Sequence, residues 1–366
     1  MFKSLFKKNK LSEKSPESAA PSTLWHKIAV SKVVAETADA TSVVLDMPEE
    51  LSAIFSYKAG QFLTFRFTVN GEKISRCYSM SSSPVADTDG YKVTVKRVED
   101  GRASNWINDN VKAGIVLEVM KPGGLFCLED RDSKLLLFSG GSGITPCISI
   151  LKTALQTTTR QIHLVYANRD QGSIIFHKEL TELAAANPDR LSIAHRLDDT
   201  DGYMDNAAVQ AAIGGDTSAD FYICGPGPFM DTVEGALHGM GIQSRQIFIE
   251  RFSAAANGIE DAHEPTPATV SANDAVESLT VEFDGQTKTF DANGNKPLLF
   301  QARDNGIDPP SACEEGFCGC CIAKLLDGTV HMGTTDALSV DDLENNMILT
   351  CQAVPTSKCV SVKYPD

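Results

Sequence analysis

No apolar run in the 366 residues approaches the roughly 20 that a membrane-spanning helix needs, so no helical span is expected. A basic balance is also missing. Lys and Arg number 33 against 48 Asp and Glu, for a net charge of −15. A nucleic-acid binder needs a basic face for the phosphates, and that class is excluded. Cysteine is sparse too, and ten in a chain this long cannot staple a disulfide scaffold. Five of the ten nevertheless crowd into residues 313–351, which points to a metal site and a reducing, cytoplasmic setting. There is no internal repeat. Residues 1–24 lack the apolar core and small-residue cleavage site of a secretory signal, and their Lys, Ser and Pro content predicts a disordered tail.

What is present falls into three modules. Residues 25–130 alternate apolar and polar positions, as in FLTFRFTV and YKVTVKRV, and predict a small antiparallel barrel. From residue 131 the pattern changes. The apolar strand LLLFS leads into GGSGITP and a helical stretch, and strands then alternate with helices up to residue 252. That order predicts a parallel sheet covered on both faces. Residues 253–277 hold five acids, no Lys or Arg and two prolines, which is linker composition. Residues 278–366 open with the hairpin-like LTVEFDGQTKTF and end with the cysteine-rich segment.

Charge is unevenly distributed among these parts. Residues 278–366 carry 13 acids and 6 bases, whereas residues 1–252 carry 30 acids and 27 bases. A negative terminal module of this kind would steer docking toward a basic surface on a protein partner.

The cysteine spacing carries the strongest chemical signal. Four residues separate Cys313 from Cys318, two separate Cys318 from Cys321, and 29 more precede Cys351. This is the plant-type iron–sulfur spacing, with three thiolates on one tight loop and a fourth on a distant strand. Gly316 and Gly319 suit a loop whose backbone N–H groups turn inward. A structural zinc site would show paired knuckles or a nearby His, and neither is present. Cys320 fits no ligand slot and reads as a spare thiol, and Cys359 in KCVSVKYP reads as a core residue.

Four further stretches suit a flavin and a nicotinamide nucleotide. Arg76, Tyr78 and Ser79 in RCYS offer a diphosphate fork, an aromatic face and a hydroxyl. The stretch from Gly101 through Ala103, Ser104 and Asn105 opens a helix whose free N–H groups favour an anion. Gly141, Gly143 and Thr145 lie in a glycine turn between strand and helix, although the turn is not G-x-G-x-x-G. Cys224, Gly225 and Pro226 follow an apolar strand, where ligands bind in open α/β sheets.

In this order the motifs of residues 25–252 resemble the ferredoxin–NADP reductase superfamily, and residues 278–366 resemble a plant-type 2Fe-2S ferredoxin of the β-grasp fold. The resemblance implies that Arg76 holds the FAD diphosphate, Tyr78 lies along the isoalloxazine, and Ser79 sits near its reacting nitrogen. It places Val95 and Lys96 along the flavin and Ala103, Ser104 and Asn105 on the diphosphate. Gly141, Gly143 and Thr145 would contact NAD(P)H, Cys224 would face the nicotinamide, and Phe252 would cover the flavin. Cys313, Cys318, Cys321 and Cys351 would hold the cluster. Ser79 and Cys224 are the residues expected nearest the hydride path. No acid–base dyad or Ser/His triad is expected, and His163, His195 and His331 read as structural.

A ferredoxin that follows the flavin domain is also the order in reductases of the 3-ketosteroid 9α-hydroxylase and phenylacetyl-CoA epoxidase type. Phthalate dioxygenase reductases share the order but use FMN. The implied partner is an oxygenase component. The alternatives are a reductase of the hybrid cluster protein, a stand-alone diaphorase or quinone reductase, and a non-enzymatic redox sensor. NADH and NADPH both remain open: Arg169 would suit a 2′-phosphate, and Asp170 beside it a free ribose.

Overall fold

The computed structural model describes residues 25–252 and 276–365, except 312, 315, 317, 336 and 339, and except the side chains of 340 and 341. The tail expected at 1–24 and all but the end of the linker expected at 253–277 lie outside the described residues.

The first sheet contains β1 (His26–Thr37), β2 (Ala40–Asp46), β3 (Phe62–Val69), β4 (Glu72–Ser79), β5 (Tyr91–Lys96) and β6 (Val116–Val119), with α1 (Arg102–Asn110) between the last two strands. Its order is β4-β3-β6-β1-β2-β5, with every pairing antiparallel. A bridge from Met80 to Val93 joins the two edge strands and closes the barrel. The alternation in the sequence sets the faces. Leu63, Phe65 and Phe67 point into the barrel core with Val93, Val95 and Val119. The residues between them face outward.

The second sheet is wholly parallel. It contains β7 (Leu135–Gly140), β8 (Ile162–Asn168), β9 (Leu191–Leu197), β10 (Asp220–Cys224) and β11 (Ile247–Glu250) in the order β11-β10-β7-β8-β9. Helices α2 (Ile144–Thr157), α3 (His177–Ala186), α4 (Asn206–Ile213) and α5 (Gly227–Gly239) connect the strands. Separate apolar clusters form on its two faces, as a doubly covered parallel sheet requires. The strand order reverses between β7 and β10, so the crevice at their carboxyl ends is where a ligand belongs.

Helix α2 also fastens this sheet to the barrel. Lys152, only 4% exposed, reaches Asp87 of the barrel at 2.6 Å and Glu179 of α3 at 2.9 Å. Ser149 donates to the Ser82 carbonyl at 2.6 Å, and Ser83 pairs with Thr153 at 2.8 Å. A buried cation with two carboxylates keeps its charge compensated, and loss of one partner would leave an unpaired charge.

The third sheet is mixed. It contains β12 (Ser278–Phe283), β13 (Gln286–Asp291), β14 (Ile322–Asp327), β16 (Met347–Leu349) and β18 (Cys359–Lys363) in the order β13-β12-β18-β14-β16. Helix α6 (Leu298–Asp304) packs on it through Leu298 and Ala302. A small ladder pairs β15 (Val330–Met332) with β17 (Ala353–Pro355). The expected hairpin is β12–β13. Cys359 is a correction. It is exposed at the start of β18, because the two-residue period sends Val360 and Val362 to the core instead.

Candidate flavin, nucleotide and cluster sites

The cluster loop leads into β14. Cys321 lies immediately before that strand, and Cys351 lies two residues after β16, which pairs with β14. The Thr350 hydroxyl donates to the Cys321 carbonyl at 2.9 Å and accepts from Tyr364 Oη at 2.9 Å, so the sheet core fixes this end of the loop. Cys321 Sγ lies 3.2 Å from Cys351 Sγ. At the other end, the Cys318 N–H donates to Cys313 Sγ at 3.4 Å. The four expected ligands thus form two neighbouring pairs, and no two of the ten cysteines are joined by a disulfide. Gly316 adopts φ +85°, and a Cβ there would come within 2.5 Å of Thr334 Cγ2. Three thiols on a loop that turns at glycines, with a fourth beside Cys321 from the neighbouring strand end, fit a 2Fe-2S cluster.

One cavity gathers half of the flavin and nucleotide residues expected from the sequence. Its walls include Arg76, Tyr78 and Ser79 from β4, Lys96 from β5, Ala103 and Ser104 from α1, and Thr145 from α2. Phe252 and the expected ligands Cys313 and Cys318 also line it. No side chain caps the N-terminus of α1, so its first N–H groups are available to an anion. At α2 the Ile144 N–H already donates to the Gly141 carbonyl of the tight turn that precedes the helix. Burial lowers the Lys96 ammonium below its usual range. These features fit FAD, which needs a diphosphate cradle beside an aromatic wall.

Two expected residues act indirectly. The Val95 side chain is in the barrel core, and its neighbours Thr94 and Lys96 reach the cavity. Asn105 donates from Nδ2 to the Val98 carbonyl at 3.1 Å, and so holds the turn before α1.

The nucleotide turns meet at the carboxyl ends of β7 and β10. Gly143 approaches β10 so closely that a Cβ would lie 2.1 Å from the Cys224 carbonyl oxygen. At Gly225 a Cβ would lie 3.0 Å from the Gly140 backbone. Gly141 takes φ +51°, and the nearest atom to a Cβ there is Lys96 Nζ at 3.7 Å, which leaves an open cradle at the start of α2. Cys224 is fully buried and packs in one core cluster with Cys147, against which Phe252 also packs. Its thiol does not line the cavity, and burial raises it well above the usual thiol range. Pro226 caps α5.

Arg169 and Asp170 are both engaged. Arg169 Nη2 lies 2.8 Å from Asp39 Oδ2, in the β1–β2 turn of the barrel. The Asp170 carboxylate accepts from the Ser173 N–H at 2.9 Å and caps a short turn.

Sequence reasoning missed Glu250, the last residue of β11, which lines the same cavity as Ser79 and Cys313. Burial pushes its carboxyl up to about 8, and the neighbouring Cys313 adds to the shift. An acid at the carboxyl end of a parallel strand was the available signal in IFIERF. The structure also adds a role to Cys77 and Cys320, whose sulfurs lie 3.4 Å apart.

The chain matches three known domain families in order. Residues 27–127 match the oxidoreductase FAD-binding domain, residues 137–235 the oxidoreductase NAD-binding domain, and residues 281–356 the 2Fe-2S iron-sulfur cluster binding domain. The ferredoxin reductase component of 3-ketosteroid-9-alpha-monooxygenase from Rhodococcus rhodochrous is 41% identical, over 92% of this chain and 96% of that one. The chain belongs to the family of oxygenase reductase components. As such a reductase it is an NAD(P)H-dependent oxidoreductase with FAD-binding, NAD-binding and 2Fe-2S domains. One component of the 1,2-phenylacetyl-CoA epoxidase of Escherichia coli K12 is 32% identical to this reductase, over 93% of this chain and 98% of that one. The solved phthalate dioxygenase reductase shares the fold, with a TM-score of 0.58 and 24% identity over 93% of this chain and 98% of that one. No helix among the described residues is long and apolar enough to cross a membrane.

Proposed function

We infer that this reductase takes a hydride from NADH onto FAD and hands the electrons through a 2Fe-2S centre to an oxygenase component. The observation that carries the reading is the single cavity lined by Tyr78 and Ser79, by Thr145 of the nucleotide turn and by Cys313 and Cys318 of the cluster loop. When bound, the flavin accepts electrons in pairs and releases them singly, and the cluster accepts them one at a time. The working units are taken as residues 25–130, 131–252 and 278–366.

In this reading the chain's own task is to bind, orient and exclude water. Arg76 and the N-terminus of α1, with Ala103 and Ser104, hold the FAD diphosphate. Tyr78 lies along the ring, and Ser79 offers its hydroxyl at the reacting edge. Gly141, Gly143 and Thr145 present α2 to the nucleotide pyrophosphate. Cys224, Gly225 and Pro226 shape the nicotinamide end, and Phe252 covers the ring until the nucleotide arrives. Cys313, Cys318, Cys321 and Cys351 ligate the cluster. Glu250 keeps a proton beside the flavin edge at neutral pH.

NADH is favoured over NADPH because Asp39 already neutralises Arg169 and would repel a 2′-phosphate. The relative at 41% identity favours a steroid-type oxygenase over an epoxidase of the phenylacetyl-CoA type at 32%. The acidic terminal module suits a basic docking surface on that partner. Ten cysteines with no disulfide between them suit a reducing, cytoplasmic setting.

The test is an anaerobic titration of the purified protein, followed in the visible, first with NADH and then with NADPH. Flavin bands and a broad cluster shoulder that bleach together, and at lower concentration with NADH, are expected. A flavin that bleaches with no cluster signal would leave only a diaphorase, and a colourless protein would end the reading.

A further inference from the structure

The thiol of Cys320 has no slot in the ligand set, yet it is not idle. Thr64 and Cys77 are direct cross-strand partners on β3 and β4 and lie on the outer face of the barrel. Their Oγ1 and Sγ atoms are 3.3 Å apart. Cys320 seats its sulfur on this pair, 3.0 Å from Thr64 Oγ1 and 3.4 Å from Cys77 Sγ. Thr64 is buried, and Cys77 and Cys320 are half-buried. Cys320 sits between Gly319 and the expected ligand Cys321, and the sulfurs of Cys77, Cys318 and Cys320 all lie within 4.8 Å of one another. Cys77 in turn lies between Arg76 and Tyr78, both on the wall of the flavin cavity.

We propose that Cys320, Thr64 and Cys77 form the docking contact that seats the cluster loop on the flavin barrel in the arrangement that passes electrons between them. The inference rests on the function proposed above. Cys320 and Thr64 are positioning residues: neither ligates the cluster nor lines the flavin cavity. The chemistry explains the side chains. A hydroxyl and two thiols exchange weak hydrogen bonds in a part-buried contact, where a charged side chain would be costly to desolvate. The contact serves twice for each NADH, whose two electrons cross singly to a one-electron acceptor while NAD⁺ departs.

The geometry is tested first on the wild-type holoprotein with diamide. Two thiols lose two electrons and two protons to the azo reagent, which becomes the hydrazine, and one S–S bond forms. The sulfurs at 3.4 Å would close to the roughly 2.05 Å of a disulfide. Peptide mapping should find a Cys77–Cys320 crosslink, and NADH should still bleach the cluster of the crosslinked protein. A crosslinked protein whose flavin bleaches while its cluster does not would overturn the proposal. So would the absence of that crosslink while the exposed Cys359 reacts.

Stopped-flow absorbance then separates the two steps. In Cys320→Val and Thr64→Val the flavin should be reduced at the wild-type rate, while cluster bleaching slows about tenfold or more, as expected when reacting groups are displaced. Cys320→Ser should restore it to within about twofold, since a hydroxyl keeps the hydrogen bond. The EPR signal of the dithionite-reduced cluster should keep full intensity in all three. Cluster bleaching at the wild-type rate in both Val variants would overturn the docking role. A wild-type protein without any cluster signal would instead overturn the function on which it rests.

Discussion

The cluster loop and the nucleotide end of the parallel sheet solve the same problem by opposite means. Each is the proposed seat of an electron carrier. The loop does so with side chains: four thiols in two close pairs, placed by a short local run and one distant strand. The nucleotide end does so with backbone: two turns that meet because Gly143 and Gly225 leave no room for a Cβ. Side-chain ligation tolerates little chemical change, whereas backbone contact tolerates little added volume. A cofactor held by donor atoms is therefore lost when a ligand changes type, and one held by shape is lost when a methyl is added.

The sharpest test of this contrast is Cys321→Ser. Removal of one of four thiolates should abolish the cluster's visible absorption altogether while the flavin bands remain. Next is Gly143→Ala, whose methyl meets the Cys224 carbonyl oxygen at 2.1 Å. Overpacking of this kind costs about 1–3 kcal/mol. The variant should melt earlier and bind NADH more weakly, with flavin and cluster spectra unchanged. If it bound NADH normally, the backbone half of the contrast would fail.

Cys224→Ala probes whether a side chain matters at the nucleotide end after all. Flavin reduction should slow by about ten- to a hundredfold through misplacement of the nicotinamide, with both cofactors retained. An unchanged hydride step would make Cys224 a packing residue alone.

Glu250 offers a pH test at the point where the two regions meet. Its folded value of about 8 lies above the ordinary 4.5. A raised acid contributes stability that is full below 4.5 and is lost as pH rises through 8. The thermal midpoint of Glu250→Gln should therefore fall less than that of wild type over this range. Its rate of flavin reduction should also lack a break near 8. Parallel curves would show that the carboxyl titrates elsewhere.

The smallest effect is expected at the exposed end of the nucleotide site. Asp39→Asn frees Arg169 and should shift preference toward NADPH, by about fivefold at most, because an exposed ion pair is worth about 1 kcal/mol or less. Steady-state kcat/KM for the two nucleotides checks it.

The fold class was legible in the chain because periodicity is local. Alternation in FLTFRFTV made β3, and continuous apolar strands between helices made the parallel sheet. Cys359 was misread because a short apolar run does not announce which of its residues faces inward. The Gly-rich turns were legible as turns. That Gly143 touches Cys224 required the β7–β10 pairing.

What the sequence determined by itself was therefore what local pattern fixes: the barrel, the parallel sheet, the order of the three modules and the spacing of the four cysteines proposed as ligands. Tertiary structure alone decided which groups meet across long gaps. Thr64 and Cys320 stand 256 positions apart, and Asp39 and Arg169 stand 130 apart. Both contacts join separate sheets. Local propensity and spacing act over a few residues, whereas a contact between sheets exists only once each sheet has folded and buried its own core.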